Sequence, residues 1–171
     1  MFLRKAGADD LARVMEIKDA VVPIMINAGN TQWSDAYPDY ERFSEDVSNG
    51  SLYVYTADDA IKGFVVADDE HPEPYRALSW RLTRKKSAAM HRMAVDPACQ
   101  GQGIAANIIE AVEQKLAAKG YKGIRTDTSL ENKRMQMRFE QHDYQFIGKL
   151  KLEADSDDWY VAYEKVIAEK I

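Results

Sequence analysis

The chain has 171 residues, enough for one domain with a real core, and carries a formal net charge of -5. That balance excludes an overall electrostatic pull on nucleic acid, and no apolar run is long enough to cross a bilayer. Cys99 is the single cysteine, so an internal disulfide is impossible, which suits a reducing cytoplasm.

Taken in order, residues 2–6 read as a first strand. The start of the chain, Met1-Phe2-Leu3-Arg4-Lys5, runs directly into charge, so no secretory leader is expected. Asp9 or Asp10 is placed to cap a helix whose apolar positions include Leu11, Val14, Met15, Ile17 and Val21. Pro23 should kink or break that helix, because its ring clashes with the carbonyl of Asp19. A second helical piece then runs to Ala28 and stops at Gly29-Asn30. Trp33 and Tyr37 follow in a turn-rich stretch, either lining a pocket or anchoring the loop on the core. Residues 39–49 form a polar helix with Phe43 and Val47 inward.

Residues 52–56 and 61–67 are two strands joined by an Asp58-Asp59-Ala60 turn. Residues 68–86 are the hardest to read: an acidic, proline-broken loop, then Trp80 and Leu82 as a short strand or arm. The basic cluster Arg81, Arg84, Lys85 and Lys86 closes the segment. Such runs are most often solvated surface; the sharper reading is contact with an acidic acceptor or a phosphate. Later, residues 122–128 are a strand, Asn132 opens a helix with Met135 and Phe139 inward, and residues 144–152 and 159–166 are two final strands. The order βααβββαβαββ predicts an α/β sandwich around one twisted, mixed sheet, a single domain over residues 1–171. His71, His91 and His142 lie far apart with no cysteine at ligand spacing, so no metal site is expected.

The stretch that organises the chain lies between these halves. Residues 90–95 form a strand that ends at Asp96-Pro97. The glycine-bearing turn is Gln100-Gly101-Gln102-Gly103-Ile104-Ala105, and apolar residues then recur at Ile104, Ile108, Val112 and Leu116 with a helical period. A helix opening on glycines offers backbone N–H groups and the positive end of its dipole to an anion. Gly101 to Ala106 also satisfies the relaxed dinucleotide pattern GxGxxA, with Asp127 near where a ribose-binding acid would fall. Residues 96–100 separate that glycine from its strand, however, and too little chain follows for a doubly wound sheet.

Gln100-x-x-Gly103-x-Ala105 behind the strand HRMAVDP resembles the acyl-CoA signature of the GNAT superfamily of N-acetyltransferases, (Gln/Arg)-x-x-Gly-x-(Gly/Ala). The order of elements on both sides also fits, so the resemblance covers nearly the whole chain. It implies a GNAT-like fold, acetyl-CoA as cofactor and an amine, small or peptidic, as acceptor, and it makes the phosphate reading of the basic cluster Arg81, Arg84, Lys85 and Lys86 the 3′-phosphate of coenzyme A. It further implies that the amides of Gln100, Gly101, Gln102, Gly103, Ile104 and Ala105 hold the diphosphate of coenzyme A. The backbone of Met93, Ala94 and Val95 would take the pantetheine arm like an added strand, with the Val95 amide on the thioester oxygen. Trp33 and Tyr37 fall in the region that walls the acceptor pocket in that family, and Asn132 is placed to bond the pantetheine arm or to cap its helix.

Catalysis needs a base for the amine and a route for the departing thiolate. His91 shares a strand with Val95, and residues 91, 93 and 95 share a face if no bulge intervenes. Histidine is the side chain suited to such proton transfer near neutral pH. Asp127 and Glu131 are weaker candidates. The family's acid is the tyrosine of Asn-x-x-x-x-x-x-Tyr; here Phe139 stands seven residues after Asn132, and Asp143-Tyr144 replaces the common Gly-Phe. Water, His142 or a nearby tyrosine are the candidate substitutes. Cys99 lies in the turn with no base in view and makes a poor nucleophile. Two functions are therefore carried forward: a direct-transfer N-acetyltransferase, and a coenzyme A-binding sensor that kept the cleft and lost catalysis. The last strands are the candidate edge for a homodimer, and the acceptor is not written in the sequence.

Overall fold

The structure, a computed structural model, describes residues 2–167. Its elements are β1 (Phe2–Lys5), α1 (Leu11–Asn27), α2 (Tyr40–Ser48), β2 (Leu52–Ala57), β3 (Ala60–Asp68), β4 (Ser87–Val95), α3 (Ile104–Ala118), β5 (Gly123–Ser129), α4 (Lys133–Gln141), β6 (Gln145–Leu150) and β7 (Tyr160–Val166). The strands form one mixed seven-stranded sheet in the order β1-β2-β3-β4-β5-β7-β6. The chain packs as two units, Met1–Ala67 with His91–Val112 and Asp68–Met90 with Glu113–Ile171; β4 and α3 each pass from one to the other.

In the first unit, β1, β2 and β3 run antiparallel, with Phe2 opposite Thr56 and Leu52 opposite Val66. Leu11, Val14 and Ile17 of α1 and Phe43 of α2 bury against Val54, Phe64 and Val66. Each such side chain contributes roughly 1.5–3 kcal/mol on leaving water. Phe43 meets Phe64 edge-on at 5.2 Å between ring centroids. Asp39 caps α2 by accepting from the Arg42 N–H at 2.8 Å.

Two local expectations need correction. Pro23 does not break α1, which runs unbroken as one 17-residue helix. Pro23 and Asp19 are both exposed, so water can serve the Asp19 carbonyl that has lost its donor. Asp10 precedes α1 without bonding into it; its carboxylate takes the Gly7 N–H at 2.8 Å and both ends of the Arg4 guanidinium.

In the second unit, β5 pairs antiparallel with β7 from Gly123↔Val166 to Ser129↔Tyr160, and β6 lies on the other side of β7. The first half of β4 pairs parallel with β5, Ser87↔Gly123 to Met90↔Thr126. Residues 68–86 contain no strand beyond the end of β3 at Asp68, contrary to the reading of Trp80 and Leu82 as one. Short 3-10 turns at Glu73–Ala77 and Arg84–Lys86 build the segment instead. It is tied down from below: the fully buried Glu164 accepts the N–H groups of Arg81 and Leu82 at 2.8 and 3.3 Å. Tyr75 packs with Leu150, Tyr160 and Ala162 in a core of its own.

Candidate active site

The second half of β4 and the turn after it lie in one unit with α1 and α2. Asp96 ends the strand and orders the turn. Its carboxylate accepts from the Ala98 N–H at 3.0 Å and from the Arg13 guanidinium, while its own N–H reaches the Lys62 carbonyl at 2.8 Å. The Ala98 bond, then the Arg13 bond, hold this carboxyl below the ordinary carboxylate range. A short 3-10 turn, Pro97–Cys99, leads to Gln100.

Gly101 and Gly103 both adopt left-handed backbone, at φ 80° and 73°. A Cβ built on either would point into open space. Glycine is therefore required at these positions by backbone geometry, and the volume beside each is left to whatever approaches the chain. The first helical bond of α3 joins the Asn107 N–H to the Gly103 carbonyl at 3.1 Å. The N–H groups of Ile104, Ala105 and Ala106 thus have no intrahelical carbonyl to meet, at the positive end of a 15-residue helix. Gln100, Gly101, Gln102 and Gly103 are exposed, Ala105 is half-buried, and Ile104 turns its side chain into the core. The set suits a phosphate group: backbone donors, a favourable dipole and no side chain in the way. The helix is seated tightly at this end, since a Cβ on Gly63 would fall 2.8 Å from the Ala94 carbonyl oxygen and 2.9 Å from Ile108.

Strand β4 is not a plain ribbon. Arg92 has φ 40°, a left-handed residue inside the strand. The condition on which His91 would share the face of Met93 and Val95 is not met, because regular alternation is interrupted between residues 91 and 93, so strand period alone does not place the His91 ring. His91, Met93 and Val95 are half-buried, and Ala94 is buried. What holds the irregularity was invisible in the sequence. Arg92 donates through Nε and Nη2 to the two oxygens of Asp46 at 3.0 and 2.8 Å, and Arg42 adds a third bond at 3.1 Å. Asp46 is 1% exposed. Burial works against the Arg92 charge, but its bonds to Asp46, with a smaller contribution from the Tyr37 hydroxyl, leave the guanidinium more firmly protonated than usual.

Tyr37 therefore touches β4 through Arg92 and is itself substantially exposed, while Trp33 is spent on the core. Trp33 stacks parallel to Phe64 at 6.2 Å and belongs to the cluster of α1 and α2. The loop-anchor reading describes where it sits, and Tyr37 is the member of the pair with a surface to offer. Cys99 is a buried free thiol, which suits packing better than attack.

In the other unit, Asn132 caps α4 by accepting from the Met135 N–H at 3.0 Å. Phe139 is buried against Tyr144 and Tyr163, with ring centroids at 5.4 and 5.5 Å. Burial and the nearby Glu113 carboxylate push the Tyr144 phenol well above its ordinary pKa. A second pairing also escaped the sequence: the Tyr75 hydroxyl donates to Asp127, across 52 residues. Burial, then the Asp127 charge, raises the Tyr75 phenol well above its ordinary value. Among the described residues no group of three or more His, Cys, Asp or Glu side chains is placed to hold a metal, and no helix is long and apolar enough to cross a membrane.

Comparison with known proteins agrees with this geometry. The acetyltransferase (GNAT) family model matches residues 16–144. An uncharacterized N-acetyltransferase of Bacillus subtilis, YesJ, is 22% identical over 143 residues, covering 82% of this chain and 77% of that one. The crystal structure of a GNAT-family acetyltransferase from Streptococcus agalactiae superposes with a TM-score of 0.86 at 25% identity, over 98% of this chain and 95% of that chain. The structure of yncA from Salmonella typhimurium, solved with its cofactor acetyl-CoA, superposes with a TM-score of 0.71 at 15% identity, over 100% and 96% of the two chains. The matched family model spans the β4 strand, the two left-handed glycines and the helix they open, and the chain belongs to the GNAT family of N-acetyltransferases.

Proposed function

We propose that the chain, acting as one domain, moves an acetyl group from acetyl-CoA to an amine by direct attack, with no acyl-enzyme. The observation that carries this is the turn itself: two left-handed glycines, each facing open space, feeding the N-terminus of α3. The backbone N–H groups from Gly101 to Ala105 would hold the diphosphate, as the dipole of α3 favours. Gln100 flanks them, and the backbone of Met93, Ala94 and Val95 would align the pantetheine arm. Acetyl-CoA supplies an acetyl thioester, activated toward amines.

The Val95 N–H, fixed before reaction, is the proposed donor to the oxygen on which charge develops. Positioning supplies most of the remaining rate. His91 is the proposed base, drawing the proton from the amine directly or through one water. Tyr37 is the proposed acceptor contact, on a loop anchored by Trp33. Asn132 is proposed to bond the pantetheine arm with the part of its amide that the cap leaves over. A thiol of ordinary pKa about 8.5 departs without an obligatory acid, which accommodates Phe139.

Phe139 supports a second reading. Buried among tyrosines and lacking a hydroxyl, it favours a coenzyme A-binding sensor with the acetyltransferase fold. Titration calorimetry with acetyl-CoA, paired with thiol release against a panel of small amines, amino acids and peptide N-termini, separates the two. The enzyme reading expects micromolar binding and turnover on at least one amine, with kcat reduced at least tenfold in His91→Gln. Binding without turnover on every amine favours the sensor. Absence of binding overturns both.

A further inference from the structure

The second unit holds a cavity of about 220 Å³ lined by residues to which the proposed transfer assigns no role. Its walls are His71, Tyr75, Arg76, Trp80, Arg84 and Arg125, with Pro72 and Glu73 at the side. Three guanidiniums on so small a space are unusual in a chain of net charge -5, and they are not equivalent. Arg76 is paired with Glu73 at 3.3 Å, both well exposed. Arg125 comes from the middle of β5 and is 6% exposed. Its Nη2 donates to the Leu82 carbonyl at 2.8 Å, but its buried Nε meets no hydrogen-bond partner among the described residues.

A buried N–H left without an acceptor is costly, more so on a charged group. The neighbourhood does not relieve it. The Glu164 carboxylate, whose charge acts on Arg125, already receives the Arg81 and Leu82 N–H groups. Arg84 is close enough to repel Arg125. The Arg125 guanidinium lies 4.6 Å above the Trp80 ring, whose indole N–H is fixed on the Tyr75 carbonyl at 2.8 Å. The His71 ring is likewise oriented, its Nε2 donating to the Ser87 carbonyl at 3.1 Å. The walls are therefore cationic and partly aromatic; the one carboxylate among them, Glu73, is paired with Arg76 and does not bond the Arg125 Nε.

We propose that this cavity is a binding site for a small anion carrying a carboxylate or phosphate group, held between Arg84 and Arg125, with Trp80 covering its apolar part. Arg125, with its fork pre-set by the bond to Leu82, provides the directional contact, and Arg84 closes from the surface. The proposed function gives Arg84 and Arg125 no part in holding acetyl-CoA, and the test reads anion binding directly, without the transfer activity.

Two probes, succinate and inorganic phosphate, are titrated into the full chain, followed by calorimetry and by the indole N–H resonances of its tryptophans. Saturable binding in the low millimolar range or tighter, shifting the Trp80 resonance and leaving those of Trp33 and Trp159 in place, is the expected result. Binding of succinate alone assigns the site to carboxylates, of phosphate alone to phosphates, of both to oxyanions generally. Arg84→Gln should weaken binding at least threefold and Arg125→Lys at least tenfold, with Lys119→Gln unchanged. Should Arg125→Lys fail to fold by circular dichroism, the exposed Arg84→Gln decides. No saturation with either probe, or equal affinity in the arginine variants, overturns the proposal.

Discussion

The turn after β4 and the cavity around Arg125 are both proposed to receive anions, by opposite means. At residues 101–106 the donors are main-chain groups, and the sequence has only to stay small and tolerate positive φ. Around Arg125 the donors are side chains gathered from three segments of the second unit, held by carbonyls and carboxylates elsewhere. The first kind of site is contiguous and leaves a spacing that can be read. The second is scattered over 55 residues and leaves only a basic cluster that resembles ordinary surface.

The contrast is not absolute, because the strand feeding the backbone site is pinned by side chains. Asp46→Ala is the largest predicted effect. It strands Arg92, and in part Arg42, without their buried carboxylate, which costs roughly 3–5 kcal/mol. For a chain of this size that lowers Tm by on the order of 10 °C, read by thermal melts with and without acetyl-CoA. A melt within 2 °C of wild type would show that the pair is ornamental.

Gly103→Val comes next and isolates the backbone contribution. A β-branched residue at φ 73° is strained and places its methyl groups in the open volume. Acetyl-CoA affinity should fall at least thirtyfold, about 2 kcal/mol, by calorimetry. Gln102→Ala, which removes a side chain and keeps every N–H, should change it less than threefold. Equal losses in the two would place the work on side chains and erase the contrast.

Tyr75→Phe tests the other region. Removing the Tyr75 hydroxyl takes one hydrogen-bond donor from the half-buried Asp127 carboxylate, with an expected loss of about 1–3 kcal/mol, measured by denaturant unfolding. The smallest effect is pH-dependent. The folded state holds the Asp96 carboxyl below its ordinary range, so its ionised form adds stability above the unfolded pKa of about 3.9 and loses it as pH falls through the lower folded value. The Tm gap between wild type and Asp96→Asn should stay constant near neutrality and close below about pH 4. A gap unchanged at pH 3 contradicts the Arg13 and Ala98 bonds as its source.

Legibility followed the range of the interactions. The apolar period of α1, the extent of α2 and the glycine turn are local and legible in their residues. The GNAT fold was readable because the turn sits in the right order of elements. Pro23 misled because its effect depends on which side of the helix it faces, which a clash rule does not encode. The left-handed residue at Arg92 has no signal in HRMAV, and the carboxylate that pairs with it lies 46 residues away in α2. Residues 68–86 have neither helical nor alternating period. Their conformation is written in Glu164, which accepts main-chain groups and so imposes no pattern on the side chains it orders.

The Asp46–Arg92 pair has a practical consequence for anyone who would retarget this protein. The loop bearing Tyr37 leads into α2, and α2 carries the carboxylate that pairs with the left-handed Arg92 of β4. Exchanging that loop to admit a different amine transmits through one ion pair to the strand proposed to align the thioester. Libraries that vary residues 33–38 while fixing Asp46, Arg42 and Arg92 would separate selectivity from turnover; libraries that vary all of them would confound the two.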